Sequence, residues 1–191
     1  MTVMERLAAL RQNMKENSFD ACLIVTDDFH GSEYVGEHFK ARAFFSGFTG
    51  SAGTLLVLAE EAYLWTDGRY FLQAEQQLRG SGIELMRAGQ PGVPLLSAFL
   101  AEKLPEGGVL AFDGRTVSTR LHRTLEKALA EKHVRMEGSF DPAEGIWLGR
   151  PALSAAAVWP FDSGVTRREK LALLRQDMAA EKADRLLLTD L

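Results

Sequence analysis

Val3, Leu7, Leu10 and Met14 recur at steps of three and four residues, while Glu5, Arg6, Arg11 and Lys15 fill the other positions. That spacing predicts an amphipathic helix. Ser18 and Asp20 break the pattern, and the apolar run Ala21–Thr26 reads as a buried strand. Asp27–Arg42 is polar and carries Gly31 and Gly36, so it reads as a long loop, a length that in compact domains is often functional. After Ala43–Phe45 comes the glycine-rich segment Gly47–Gly53. Thr54–Ala59 and Ala62–Thr66 flank Glu60-Glu61 and predict an antiparallel hairpin. Asp67 stands where an N-cap would, ahead of a helix over Tyr70–Leu78.

The alternation continues. Ile83–Arg87 predicts a strand, Pro91 and Pro94 precede a helix over Leu95–Lys103, and Val109–Phe112 predicts another strand. Ser118 can cap a helix over Thr119–Lys132, and Val134–Glu137 follows as a strand. Helices alternating with strands predict an α/β domain, and the hairpin makes its sheet mixed.

The composition shifts after Trp147. Arg150-Pro151 and Ala152–Pro160 read as a linker, and Pro160–Gly164 as a hinge. One domain is therefore expected over residues 1–160. The rest carries an internal repeat: Glu5–Met14 aligns with Glu169–Met178 at an offset of 164, and seven of the ten pairs are identical. Asp20 matches Asp184, and Cys22–Val25 matches an apolar run at Leu186–Leu188 that predicts a strand. Two amphipathic helices can resemble one another by chance, but the shared Leu-Arg-Gln-x-Met and the helix–strand order that follows favour duplication. Residues 161–191 then read as a linker and the opening of a second, homologous domain. One helix and one strand cannot bury a core, so the expectation is a chain that ends inside that domain.

Composition adds exclusions. The 22 basic and 26 acidic residues give a net charge of -4 with no basic block, which argues against nucleic-acid or anionic-membrane binding. No apolar run approaches a membrane span, and the N-terminus has no signal-peptide core. The lone Cys22 cannot form a disulfide framework or a zinc cluster and reads as a buried thiol. These features together predict a cytoplasmic protein.

Candidate chemistry is sparse. His30, His38, His122 and His133 lie in no metal-binding motif, and His122 and His133 flank a charged helix where they read as surface residues. Ser51 invites a nucleophile-elbow reading, but Thr49 stands where that motif needs glycine and a strand follows instead of a helix. The glycines match neither dinucleotide- nor P-loop spacing and read as a tight turn against neighbouring side chains. Arg69, in Asp67-Gly68-Arg69-Tyr70, could reach past a helix start toward an anion such as a carboxylate, or could simply be a surface residue beside a structural cap. The aromatics around it, Phe44, Phe45, Phe48, Trp65, Tyr70 and Phe71, read as core.

Three segments in order carry a resemblance: His30-Gly31-Ser32-Glu33-Tyr34, then Arg42–Thr54 with Ser46-Gly47-Phe48-Thr49-Gly50-Ser51-Ala52-Gly53, then Trp65–Phe71. Ile146-Trp147 and Arg150-Pro151 extend it. The chain resembles the N-terminal domain of Xaa-Pro aminopeptidases (aminopeptidase P) of the three-domain cytosolic type. Phe29 departs from the proline that the family often has there.

The resemblance implies a creatinase/prolidase-type α/β fold, repeated in a second domain and followed by a pita-bread metallopeptidase domain. That last domain would hold two divalent metal ions, usually manganese, on Asp, Asp, His, Glu and Glu ligands, and none of its motifs occurs here. The parent would remove the N-terminal residue from peptides with proline second, and would be a homodimer. This chain alone would be catalytically inactive. Its implied role is to shape substrate access for short Xaa-Pro peptides, with Arg69 as the first candidate to meet substrate and His30 as the second. A prolidase- or creatinase-type parent is the nearest alternative, and a stand-alone binding or dimerisation module is a different class.

Overall fold

The computed structural model describes residues 1–153, 155–157, 159–160 and 163–188. Contacts divide the chain into two compact units, Met1–Leu153 and Ser154–Leu191.

The first unit is a mixed six-stranded sheet covered on both faces. Its strands are β1 (Ala21–Val25), β2 (Thr54–Leu58), β3 (Ala62–Thr66), β4 (Glu84–Arg87), β5 (Val109–Phe112) and β6 (Arg135–Glu137), in the order β4-β3-β2-β1-β5-β6. β2 runs antiparallel to both β1 and β3, and the other neighbours pair in parallel. The predicted hairpin is present, with Leu55 opposite Leu64.

Alternation along the strands explains why β1, β3 and β5 are buried throughout: successive side chains feed opposite layers. Cys22, Ile24, Leu55, Val57 and Leu64 face one layer, where they meet Leu7, Leu10 and Met14 of α1 (Val3–Glu16) and Phe45 of α2 (Ala41–Ser46). Ala74 of α3 (Phe71–Gln77) packs in the same layer. Leu23, Leu56, Trp65, Leu110 and Phe112 face the other, against Phe99 and Leu100 of α4 (Leu96–Lys103) and Leu125 and Leu129 of α5 (Thr119–Leu129). Cys22 is fully buried, and burial pushes its thiol pKa up, as expected of a structural residue. Ser118 caps α5 by accepting from the Leu121 N–H.

Several expectations need correction. The stretch read as a loop ends in a 3₁₀ turn (Glu37–Phe39), and α2 begins at Ala41. Asp67 is not the cap of α3; that position belongs to Tyr70, and no side chain caps it. Asp67 instead accepts from the Arg69 N–H, two residues on, and closes a tight turn ahead of the helix. The helix expected to reach Lys132 is α-helical only to Leu129 and tightens into a 3₁₀ turn over Ala130–Lys132 before His133 takes a left-handed conformation. His122 is half-buried, with its ring near Phe112, and is not a fully solvated residue.

The second unit contains α6 (Arg167–Ala180). It reproduces α1 at the offset of 164. Thr2 with Glu5 and Thr166 with Glu169 form capping boxes, and Ser18 and Lys182 both adopt left-handed φ, at 57° and 55°. The backbone closure is also shared, Phe19 N–H to Met14 C=O and Ala183 N–H to Met178 C=O, each at 2.8 Å. The predicted strand at Leu186–Leu188 is absent: among the described residues no neighbouring strand pairs with them, and a strand needs a partner for its backbone groups. Ser154 and Val158 of the expected linker, and Phe161 and Asp162 of the expected hinge, lie outside the described residues.

Candidate functional site

Topology gathers the motif segments. β1 and β3 both run antiparallel to β2, so they share a direction, and the start of β2 meets their C-terminal ends. The loop after β1, the glycine-rich turn before β2 and the Asp67–Tyr70 turn after β3 therefore emerge at one end of the sheet. Crevices at the C-terminal ends of strands are where open α/β sheets place ligands.

Arg42 ties the first two segments together. Its side chain is buried; Nε donates to Thr26 Oγ1 at 2.8 Å, one terminal nitrogen to the Phe48 carbonyl at 2.5 Å, and the other to the Gly50 carbonyl. The guanidinium lies 4.8 Å from the Phe48 ring centroid. Among the described residues no carboxylate lies within 4.0 Å of it, so burial brings its pKa down to about 10. In the sequence Arg42 is marked, apart from its place in a motif, only as a lone arginine inside the otherwise apolar run Ala41–Phe45.

The glycines serve close approach. Gly47 ends α2 with φ of 71°. A Cβ on Gly50 would overlap the Phe48 ring and come within 2.8 Å of Tyr70. Ser51 Oγ pairs with Tyr70 Oη at 2.7 Å, which anchors the turn to the entrance of α3. Phe45, Phe48 and Trp65 are buried as core, as predicted.

Arg69 is exposed and held by its own turn. Its Nε and a terminal nitrogen donate to Asp67 Oδ1 and Oδ2 at 2.9 and 2.8 Å. The Arg69 hydrogen bond draws the Asp67 carboxyl down to about 2, and the same partner raises the Arg69 guanidinium further. Nearby Glu33 adds to that rise. In the parent chain, carboxyl NMR should therefore find Asp67 ionised well below the ordinary carboxylate range. Arg69→Gln should return its midpoint upward toward about 3.9. Because folding lowers the Asp67 pKa, the pair's contribution to stability is complete above that value and is lost as pH falls toward about 2. An unchanged midpoint in the variant would remove Arg69 as the cause.

His30 is exposed in the loop after β1. Buried Asp28 accepts from the backbone N–H groups of His30 and Ser32, at 2.8 and 3.1 Å, and so shapes this loop. Among the described residues no hydrogen bond, ion pair or ring contact joins His30 to Arg69. No group of three or more His, Cys, Asp or Glu that could hold a metal occurs among them either.

The model of the creatinase/prolidase N-terminal domain matches residues 6–144. The chain belongs to that family. A creatinase/prolidase N-terminal domain with these motifs has relatives among the P-type aminopeptidases. It is 37% identical over 190 residues to a protein of Laccaria bicolor named probable Xaa-Pro aminopeptidase P, covering 97% of this chain and 29% of that one. It is 45% identical over 135 residues to aminopeptidase P2 of Arabidopsis thaliana, covering 70% of this chain and 19% of that one. Among solved structures, the X-prolyl aminopeptidase of Caenorhabditis elegans, described as a cytosolic enzyme with a di-nuclear active site, superposes with a TM-score of 0.82. That match has 31% identity and covers 96% of this chain and 32% of the other. The domain thus spans less than a third of the length of these relatives.

Proposed function

We propose that this chain is the N-terminal part of a metal-dependent Xaa-Pro aminopeptidase that removes the first residue from peptides with proline second. The observation that carries this reading is the chain-long match, at 31% identity and a TM-score of 0.82, to an X-prolyl aminopeptidase three times its length. Within the parent, the domain supplies no catalytic group. It walls the entrance to the active site, admits short peptides and contributes contacts between subunits of a homodimer. The parent works in the cytoplasm. That placement draws on the cytosolic relative, and no helix among the described residues is long and apolar enough to cross a membrane.

Arg69 and His30 face the peptide. Both are exposed at the sheet end where the motif loops converge, and Arg69 is kept charged and oriented by Asp67. The test is hydrolysis of an Xaa-Pro tripeptide with added manganese by the full-length protein, its Arg69→Ala variant and this chain alone. The full-length protein should be active and this chain inactive. Arg69→Ala should lower kcat/KM about tenfold or more, the worth of one charge-assisted hydrogen bond. Activity in this chain would overturn the assignment of chemistry to the remainder, and an unchanged kcat/KM would remove the role of Arg69.

Residues from 161 onward open a second domain of the same fold. Support comes from α6, whose Leu171, Leu174 and Met178 stand at the positions of buried Leu7, Leu10 and Met14. Leu171 is 47% exposed where Leu7 is 2% exposed. This face needs a sheet of its own, formed by residues that follow. In a chain extended through that domain, amides of α6 should become protected from hydrogen exchange; in residues 1–191 they should exchange fast. Equal exchange in both would refute the duplication.

A further inference from the structure

A hollow of about 360 Å³ lies between the loop around Glu33–Lys40 and the glycine-rich turn. Tyr34, Val35, Phe39 and Ala43 give it apolar walls, and Arg42, Thr26 and Gly50 line it as well. Arg69 and His30 are not among its lining residues. Its size lies at the lower end of small-molecule sites, which combine apolar walls with a few placed polar groups.

The charges around it are unequal in one respect. Glu37 is paired with Lys40, and Glu33 lies in the field of Arg69. Arg42 has no acidic partner among the described residues. A guanidinium carries five N–H donors, and three are engaged, one on each nitrogen. Each terminal nitrogen therefore keeps one N–H, on a buried cation that only neutral oxygens surround. Buried charges are ordinarily paired, and a carboxylate is the complement that a guanidinium fork fits best.

We propose that this hollow binds a small carboxylate with an apolar body, Arg42 receiving the anion and the wall of Val35, Phe39 and Ala43 covering the apolar part. The carboxylate can come from a free organic acid or from the C-terminus of a short peptide. This inference concerns residues 1–191 alone and holds whether or not the entrance-wall reading does.

The test is titration of the 191-residue chain, followed by amide NMR, with four probes. These are 3-phenylpropanoate, its neutral amide 3-phenylpropanamide, the dipeptide Leu-Phe, and the same dipeptide amidated at its C-terminus. The acids should bind at least tenfold more tightly than their amides, with shifts at Ala43, Gly50 and the loop around Val35. Comparable binding of both acids marks a general carboxylate site, and binding of the dipeptide acid alone marks a peptide end. Arg42 also holds the turn, so the discriminating variants fill the hollow without touching it. Ala43→Leu, or Val35→Trp from the loop side, should abolish binding while circular dichroism stays that of the parent. Equal binding of acids and amides, no binding of either acid up to about 10 mM, or undiminished binding in a folded filled variant would each overturn the proposal.

Discussion

Replacing Arg42 with Met should destabilise the sheet domain by roughly 2–5 kcal/mol. The three hydrogen bonds of Arg42 are charge-assisted, and such bonds contribute about 1.5–3 kcal/mol each. Against that loss stands relief from burying a cation. The depression of its pKa to about 10 corresponds to about 3 kcal/mol. The losses win because the carbonyls of Phe48 and Gly50 point at this side chain and lose it as their partner. Arg42→Lys should recover little, since one ammonium cannot serve three acceptors spread across a planar fork. Urea denaturation followed by near-ultraviolet circular dichroism measures both variants. A Met variant within about 0.5 kcal/mol of the parent would show that the turn holds itself.

Arg150→Ala should cost about 2–4 kcal/mol. The Arg150 side chain is 13% exposed and clamps two distant segments, donating to Asp141 Oδ2 at 2.5 Å and to the His38 carbonyl at 2.8 Å. His38 Nδ1 returns the contact by donating to the Pro151 carbonyl at 2.8 Å. Asp141 is also held by Arg115 at 2.7 Å, but that side chain is half-exposed and worth less. Burial pushes the Asp141 carboxyl up, and hydrogen bonds led by the one from Arg150 overcome this, leaving its pKa below the ordinary value. The variant should therefore differ most from the parent at neutral pH. The gap should narrow as pH falls below about 3.9 and Asp141 takes up its proton. A gap independent of pH would show that Arg150 acts through the His38 carbonyl and packing alone.

The clamp and the buried arginine mark the limit of what could be read from residue order. α1 was legible because Leu7, Leu10 and Met14 repeat at the helical period. β1, β2, β3 and β5 were legible as apolar runs bounded by turns. α2 was not: six residues between a polar loop and glycines are too few to display a period, and the helix depends on Arg42 finding acceptors at Phe48 and Gly50. Asp67 has the chemistry of a cap and a turn alike, and Arg69 two residues on decided for the turn.

For the candidate site, the three motif segments were visible as text, and their resemblance to P-type aminopeptidases gave them a family. Their convergence on one sheet end follows from β2 running against both β1 and β3, a pairing between residues far apart in sequence.

By itself the sequence determined the α/β class, the positions of most helices and strands, the fully buried Cys22 and the repeat at an offset of 164. All of these rest on local periodicity, composition or direct comparison of residues. Only the tertiary structure decided the strand order, the burial of Arg42 without an acidic partner, the binding of Arg69 to Asp67 and the hollow beside Ala43. These depend on which distant groups meet and how much water is excluded when they do, and a linear pattern does not encode either quantity directly.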